Sequence, residues 1–167
     1  MSAPAIRLPY GILAAPETVL KTLTRRYVLT PDELEKVLRA HPAHKTPDEY
    51  PLTHHFAPGV YMREIVMPKG DLVIGRVHRT EHLNVIVRGD VSFWVPGETV
   101  RRVTIAGAPV TFTSRPGARK ILYLHEETVW MTIHPTTETD LAVLERELVE
   151  PAMPLRALPE PASEVAA

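Results

Sequence analysis

The feature that most constrains this fold is a series of short apolar runs between residues 58 and 135, each bounded by turn residues. The runs are rich in Val, Ile, Tyr and Trp, and no helical pattern separates them. Such runs are typical of β-strands joined by tight turns, so they favour an antiparallel sandwich or barrel. The pattern predicts eight strands, near 59–67, 71–78, 82–88, 91–96, 99–105, 109–114, 119–125 and 129–134.

The segments on either side of these runs have a different pattern. "TPDELEKVLRA" predicts a helix near 31–40, since Thr30 suits the N-cap, Pro31 suits the first helical position and Glu33 completes a capping box. The following "HPAHKTPDEYPLTHHFAPG" is interpreted as an extended connection. After the strands, "TTETDLAVLEREL" predicts one amphipathic C-terminal helix with a stripe of Leu141, Leu144 and Leu148.

These patterns predict one domain with four parts. The length of 167 residues is sufficient for a single full-sized core. The parts are an N-terminal arm with short helices (1–57), a β-barrel (58–135), a C-terminal helix (136–150) and a tail rich in Pro and Ala (151–167).

Composition excludes several classes of function. The formal net charge is -1, which gives no overall attraction to nucleic acid or to an anionic membrane. The chain has no cysteine, so disulfides, thiolate metal sites and cysteine nucleophiles are excluded. No stretch has the length and apolar character of a signal peptide or a membrane span. We expect a soluble, cytoplasmic protein that binds neither nucleic acid nor membrane.

The stretch "GDLVIGRVHRTEHLNVIVRG" resembles the first conserved motif of the cupin superfamily, G-x5-H-x-H-x3-E-x6-G. The spacing fits without gaps, with Gly70 and Gly89 on the two motif glycines and His78 on the second histidine. Arg76 takes the place of the first histidine, and His82 that of the glutamate. This resemblance implies an RmlC-like jelly-roll barrel and a metal site that is partly eroded.

The second cupin motif, P-x-G-x2-H-x3-N, is only echoed by "SRPGARKILYLHEE". If Gly117 is its glycine, Lys120 takes the histidine position and Leu124 the asparagine position. The wider pattern, including "GVYMREIVMPKGDLVIG" and "HEETVWMTIHPTTETDLAVLE", is similar to small cupin-like proteins encoded by bacteriophages and prophages. That similarity implies a fold and a phage or prophage origin, with the host cytoplasm or a virion as location, but no reaction.

Strand alternation indicates which side chains would share a cavity. Successive side chains of a strand point to opposite faces, so Arg76 and His78 should point the same way, with His82 across the bend. Leu83, Val85 and Val87 make the opposite face of their strand apolar, which predicts that this face is covered, for example in a homo-oligomer. The predicted ligand-binding residues are Arg76, His78, His82, Asn84 and Lys120.

Two kinds of ligand fit this set. Imidazoles at this spacing suit Zn, Mn, Fe or Ni, and a metal site needs a third protein ligand from His125, Glu126 or His134. We predict the metal set His78, His82 and His134. Alternatively, Arg76, Lys120 and the two histidines would bind a small anion, since Arg supplies a bidentate fork and Lys a point charge.

The leading hypothesis is therefore a small-molecule-binding cupin-like protein with a partly eroded metal site on His78 and His82. One alternative is a metal-free epimerase or isomerase of the sugar-nucleotide type, with a basic pocket. Another is a non-catalytic, structural or virion-associated phage protein. Whether the chain is an enzyme stays open at this point.

Overall fold

The computed structural model of the chain describes residues 47–95, 98 and 101–151, together with the short pieces 6–7, 13–14, 39 and 44–45. Apart from residue 39, the predicted helix at 31–40 lies outside the described residues, and so does the predicted tail after residue 151.

Strands dominate the described part of the chain. A 3-10 helix covers Pro47–Glu49, and an α-helix, α1, covers Leu141–Leu148. The strands are β1 (Ile6–Arg7), β2 (Leu13–Ala14), β3 (His44–Lys45), β4 (Leu52–Ala57), β5 (Val60–Met67), β6 (Leu72–Ile74), β7 (His82–Arg88), β8 (Asp90–Trp94), β9 (Arg101–Thr104), β10 (Val110–Ser114), β11 (Ile121–Leu124) and β12 (Thr128–Pro135).

The strands β5 to β12 have jelly-roll topology. They pair first with last: β5 with β12, β6 with β11, β7 with β10 and β8 with β9, all antiparallel. This pairing gives two five-stranded sheets, in the orders β10-β7-β12-β5-β4 and β3-β6-β11-β8-β9. The predicted mainly β jelly roll with one C-terminal helix is confirmed, and eight of its strands lie where the apolar runs predict them.

The two sheets enclose one apolar core. Trp130 of β12 packs edge-on against Phe93 of β8, with ring centroids 5.7 Å apart, and so joins the two sheets. Strand β7 shows the expected alternation, since His82 and Ile86 are buried whereas Leu83 is 51% exposed. The core cluster contains Tyr50, Met67, Val73, Ile86, Val91, Phe93, Leu122, Leu124 and Trp130.

The helix α1 covers one end of this sandwich. Asp140 caps its N-terminus, since Oδ1 accepts hydrogen bonds from the backbone N–H groups of Ala142 and Val143. Leu144 and Leu148 of the predicted stripe are buried against Tyr61 of β5, in a second small cluster. Leu141, the first residue of that stripe, is 47% exposed.

Both glycines of the first motif lie at positions that need glycine. Gly70 has φ 91° and Gly89 has φ 120°, in the region that side chains disfavour. A Cβ on Gly89 would lie 2.3 Å from Oγ1 of Thr128, so the chain there approaches β12 too closely for any side chain. The β7–β8 connection therefore depends on this glycine.

Two details of the predicted strands are wrong. The segment interpreted as an extended connection contains β4, which pairs with β5 from Leu52↔Ile65 to Ala57↔Val60. The strand could not be recognised in its sequence, LTHHFA, because an edge strand that is largely exposed needs little alternation of apolar and polar residues. Strand β6 ends at Ile74, four residues earlier than predicted, so Arg76 and His78 lie beyond it.

The chain leaves β6 because residues 77–79 pair with the end of α1. The backbone N–H of Arg79 donates to the carbonyl of Leu148, and that of Glu150 donates to Val77, both at 2.8 Å. His78 forms an isolated antiparallel bridge with Val149. This pairing fixes the position of His78 relative to the sheets. Within the described part of the chain, no helix is long and apolar enough to cross a membrane.

Candidate metal centre

Three buried histidines meet between the two sheets. His82 begins β7, and His134 lies near the end of β12, which is the neighbouring antiparallel strand. The register Ile133↔Leu83 brings these two histidines side by side on the inner face. His78 comes from the segment after β6. The ring centroids are 4.2 Å apart for His78 and His82, 4.8 Å for His82 and His134, and 5.1 Å for His78 and His134.

This arrangement, here called the histidine triad (His78, His82 and His134), places one potential ligand nitrogen from each ring within 4.8 Å of the others. The exposed fractions of the three residues are 9%, 2% and 1%. The predicted proximity of His78 and His82 is confirmed. The triad forms because register joins two strands and the bridge to Val149 adds the third residue.

Hydrogen bonding orients the triad for binding. Nδ1–H of His82 donates to the carbonyl of Thr80 at 3.0 Å, which leaves the lone pair on Nε2. Oγ1 of the same threonine lies 3.4 Å from Nδ1 of His134. Nε2 of His82 and Nδ1 of His78 are buried and have no hydrogen-bond partner among the described residues. Buried polar atoms normally have a partner, so these two nitrogens indicate a missing one.

The electrostatic surroundings keep the triad neutral. Burial lowers the pKa of His78 to about 2, and the neighbouring imidazoles of His82 and His134 act in the same direction. Burial likewise lowers the pKa of His134 to about 4. The pKa of His82 is also lowered by burial, although the hydrogen bond to Thr80 opposes this. At neutral pH all three rings therefore offer lone pairs, as a metal requires.

The triad passes the test for a transition-metal site. Three neutral imidazoles are a common ligand set for Zn, and they suit Fe and Ni as well. The donor set of the triad therefore fits such an ion.

His134 is the third residue that the structure brings to the pair. The other two predicted candidates lie elsewhere: Nε2 of His125 is 2.8 Å from Oγ of Ser92, and Oε1 of Glu126 accepts from Lys69 at 2.7 Å. The signal for His134 in the sequence is the alternation of Trp130, Thr132 and His134 along β12.

Arg76 lines a cavity beside the triad, but its charge is already paired. Its guanidinium lies 2.7 Å from Oε1 of Glu145 on α1 and 3.3 Å from Oδ2 of Asp48. These contacts join α1 and the 3-10 helix to the segment after β6. Arg76 thus stands at the first histidine position of the motif without extending a free charge toward the triad.

Asn84 and Lys120, the remaining predicted ligand-binding residues, are both buried. Nδ2 of Asn84 donates to Oγ of Ser114 at 2.9 Å, and its Oδ1 accepts from Nε1 of Trp130 at 3.1 Å. The amide of Asn84 is thus used in holding β7, β10 and β12 together. Burial lowers the pKa of Lys120 to about 8.

Two cavities flank the triad and share His78 and Arg63 in their walls. The inner one, of about 80 Å³, lies between the sheets and reaches Lys120 and Trp130. The outer one, of about 330 Å³, lies beneath α1 and reaches His134 and Tyr61. Sequence reasoning did not identify Arg63, Tyr61 or Thr132 as cavity residues, because the positions of these residues on their strands have meaning only once the sheets are paired.

No protein-family profile matches the sequence, and no curated protein matches it. Solved structures that are similar include a cupin domain from Bordetella pertussis Tohama I (TM-score 0.41, 20% identity, covering 55% of this chain and 97% of that one). An RmlC-like cupin family protein from Methanocaldococcus jannaschii has TM-score 0.41 and 8% identity, covering 54% of this chain and 84% of that one. Ectoine synthase from P. lautus has TM-score 0.46 and 12% identity, covering 70% of this chain and 80% of that one.

Proposed function

We propose that this chain is a cupin-like protein that binds a small molecule at a transition metal held by His78, His82 and His134. The observation that carries the proposal is the convergence of three buried imidazoles, at least two of which have unpartnered nitrogens. Zn, Mn, Fe and Ni are the candidate ions, since imidazole ligands select no single one of them.

The proposed centre differs from the motif that the sequence resembles. His82 occupies the glutamate position and Arg76 the first histidine position, so the motif alone retains one of its ligands. His134, which lies outside both motifs, would restore a set of three. The metal site that the sequence predicts to be partly eroded would then be a rearranged one, in which His134 of β12 replaces a ligand that the motif has lost.

A bound ion would supply a Lewis acid that polarises an oxygen of its ligand. The residues of the chain would do the rest. The Thr80 carbonyl holds the tautomer of His82, as outer partners of metal ligands commonly do. The helix α1 forms the far wall of the outer cavity beside the triad, and the three imidazole residues are at most 9% exposed. Three protein ligands leave a coordination position open to a small molecule.

Metal analysis and titration test this proposal. The purified chain, stripped with a chelator, should bind about one equivalent of Zn, Mn, Fe or Ni in a calorimetric titration. His82→Ala and His134→Ala should each lower the affinity by more than about a hundredfold, since even loss of an outer-sphere partner costs up to that much. His55→Ala is the matched control, because His55 is exposed and pairs with Glu64. Equal affinity in the wild type and both triad variants would contradict the proposal.

The metal-free epimerase has less support. A histidine base usually depends on an orienting partner, yet no described carboxylate hydrogen-bonds to the triad. The charge of Arg76 is also paired with Asp48 and Glu145. The phage or prophage origin and the virion-associated role stay predictions. Absence of binding to any transition metal would favour that structural role.

A further inference from the structure

The inner cavity has an unusual balance of charge. Its wall contains Arg63, Arg76 and Lys120 but no acidic side chain. Arg76 is neutralised by Asp48 and Glu145 from outside, whereas Arg63 makes no ion pair with a described residue. Lys120 is 8% exposed, and the nearest acidic influence on its pKa is that of Glu98, which forms its ion pair with Arg101. Two cationic groups thus face a small, largely apolar space.

Two residues that line the same cavity contain polar atoms without partners. Oγ1 of Thr132 and Nε of Arg76 are buried and have no hydrogen-bond partner among the described residues. Thr132 lies between Asn84 and Arg63 in the strand register, on the floor of the cavity. Leaving such groups unpaired is costly, so their clustering around one space indicates a polar ligand.

The size and the charge of the cavity limit this ligand. One water needs about 10–15 Å³ of such space, so a cavity of about 80 Å³ has room for a molecule of a few non-hydrogen atoms. The apolar wall, which includes Met67, Val73 and Trp130, suits a short carbon skeleton. A dianion such as phosphate would be harder to desolvate here than a monoanion.

A metal in the triad strengthens the argument for an anion. A divalent ion on three neutral imidazoles, close to Lys120 and Arg63, would place several positive charges in a region of low dielectric constant. A carboxylate between the ion and the ammonium group would compensate part of that charge. Carboxylates accept charge-assisted hydrogen bonds from ammonium and hydroxyl donors, which Lys120 and Thr132 supply.

We infer that the inner cavity is a binding site for a small aliphatic monocarboxylate, whose carboxylate is bound by Lys120 and Thr132 next to the histidine triad. The placement of the carboxylate beside a metal rests on the proposed function, whereas the lysine and threonine contacts do not. Arg63 contributes a second positive charge from β5. The pocket would thus select its small molecule by a single negative charge and by a short carbon skeleton.

Calorimetric titration of the full chain with acetate, pyruvate and inorganic phosphate, with and without bound Zn, tests this inference. At least one carboxylate should bind with saturable heat to the zinc-loaded chain, and phosphate should bind more weakly. Lys120→Met should lower carboxylate affinity by about tenfold or more, the loss expected for a charge-assisted hydrogen bond. Thr132→Val, which keeps the shape of the side chain, should lower the affinity several-fold.

Lys69→Met is the matched control, because the Lys69 side chain is 65% exposed and pairs with Glu126 away from the cavity. If Lys120→Met does not fold, as judged by its circular dichroism, the Thr132→Val result decides. Carboxylate binding that is unchanged in Lys120→Met or, if that variant is unfolded, in Thr132→Val would overturn the inference, as would tighter binding of phosphate. Zinc binding without carboxylate binding would overturn the inference alone. Carboxylate binding to a chain that binds none of Zn, Mn, Fe and Ni would support the pocket and contradict the metal proposal.

Discussion

The metal-free protein should be unusually sensitive to mild acid, because the fold buries three imidazoles in their neutral form. In the unfolded chain a histidine has a pKa near ~6.5. In the folded chain the pKa of His78 is about 2 and that of His134 about 4, and the pKa of His82 is lowered. Below pH ~6.5 the unfolded state therefore binds protons that the folded state excludes, so acid favours unfolding.

The magnitude follows from these shifts. Each histidine that stays neutral in the fold costs about 1.4 kcal/mol of stability per pH unit below ~6.5. Between pH 6.5 and 5.5, where the histidines of the unfolded chain are only partly protonated, His78 and His134 together should lower the free energy of unfolding by about 2 kcal/mol, and His82 should bring the loss to at most about 3 kcal/mol. This is a large part of the ~5–15 kcal/mol that stabilises a typical domain. The stability is fully present above pH ~6.5 and is lost progressively toward pH ~4, where His134 begins to titrate in the fold.

Urea denaturation of the metal-free chain at several pH values between 7.5 and 5 would measure this loss. His134→Asn should remove about a third of the pH dependence, because one of the three buried imidazoles is then absent. A saturating metal should raise the free energy of unfolding at every pH in this range without removing the slope, because the folded rings are already neutral and the unfolded chain still takes up the protons. If His134→Asn has the same pH dependence as the wild type, the acid sensitivity does not come from the triad and the reasoning is refuted.

Two further predictions concern other parts of the fold. Gly89→Ala should lower the free energy of unfolding by more than about 2 kcal/mol, because φ is 120° and the new Cβ would meet Oγ1 of Thr128 at 2.3 Å. Thermal denaturation measures this loss. Gly107→Ala separates the clash from backbone strain, since Gly107 also has positive φ but no atom lies within 4 Å of the added Cβ. A homo-oligomer stays a prediction. If the outer face of β7 mediates it, Leu83→Lys, at a residue that is 51% exposed, should shift sedimentation toward a monomer. A wild type that already sediments as a monomer would refute this prediction.

The pattern of strands could be predicted from the sequence because residues typical of turns bound the strands of the jelly roll. Gly70, Gly89 and Gly117 all have positive φ at the turns where the glycines were read as punctuation. Edge strand β4 was missed for the opposite reason. It has one partner strand and a largely exposed surface, so its LTHHFA sequence carries no apolar alternation to recognise.

The motif spacing likewise predicted that His78 and His82 would meet, although the route assumed for His78 was wrong. His78 does not follow the alternation of a long β6; the bridge to Val149 positions it instead. The role of Arg76 was also inaccessible, since its partners Asp48 and Glu145 are 28 and 69 positions away in the sequence. Local patterns contain no information about which distant carboxylates will reach a guanidinium.

By itself, therefore, the sequence determined the fold class, the positions of most strands and the pairing of two histidines, because these depend on residues close together in the chain. The sequence also proposed His134 as the third ligand, but only the tertiary structure shows that it reaches the other two histidines. The structure alone decided that Arg76 is neutralised by Glu145 of α1 and by Asp48, and that Lys120 and Thr132 line the same small cavity. Each of these depends on strand register and sheet packing. A shift of one residue in the β7–β12 register would turn His134 to the opposite face, and the triad would not form.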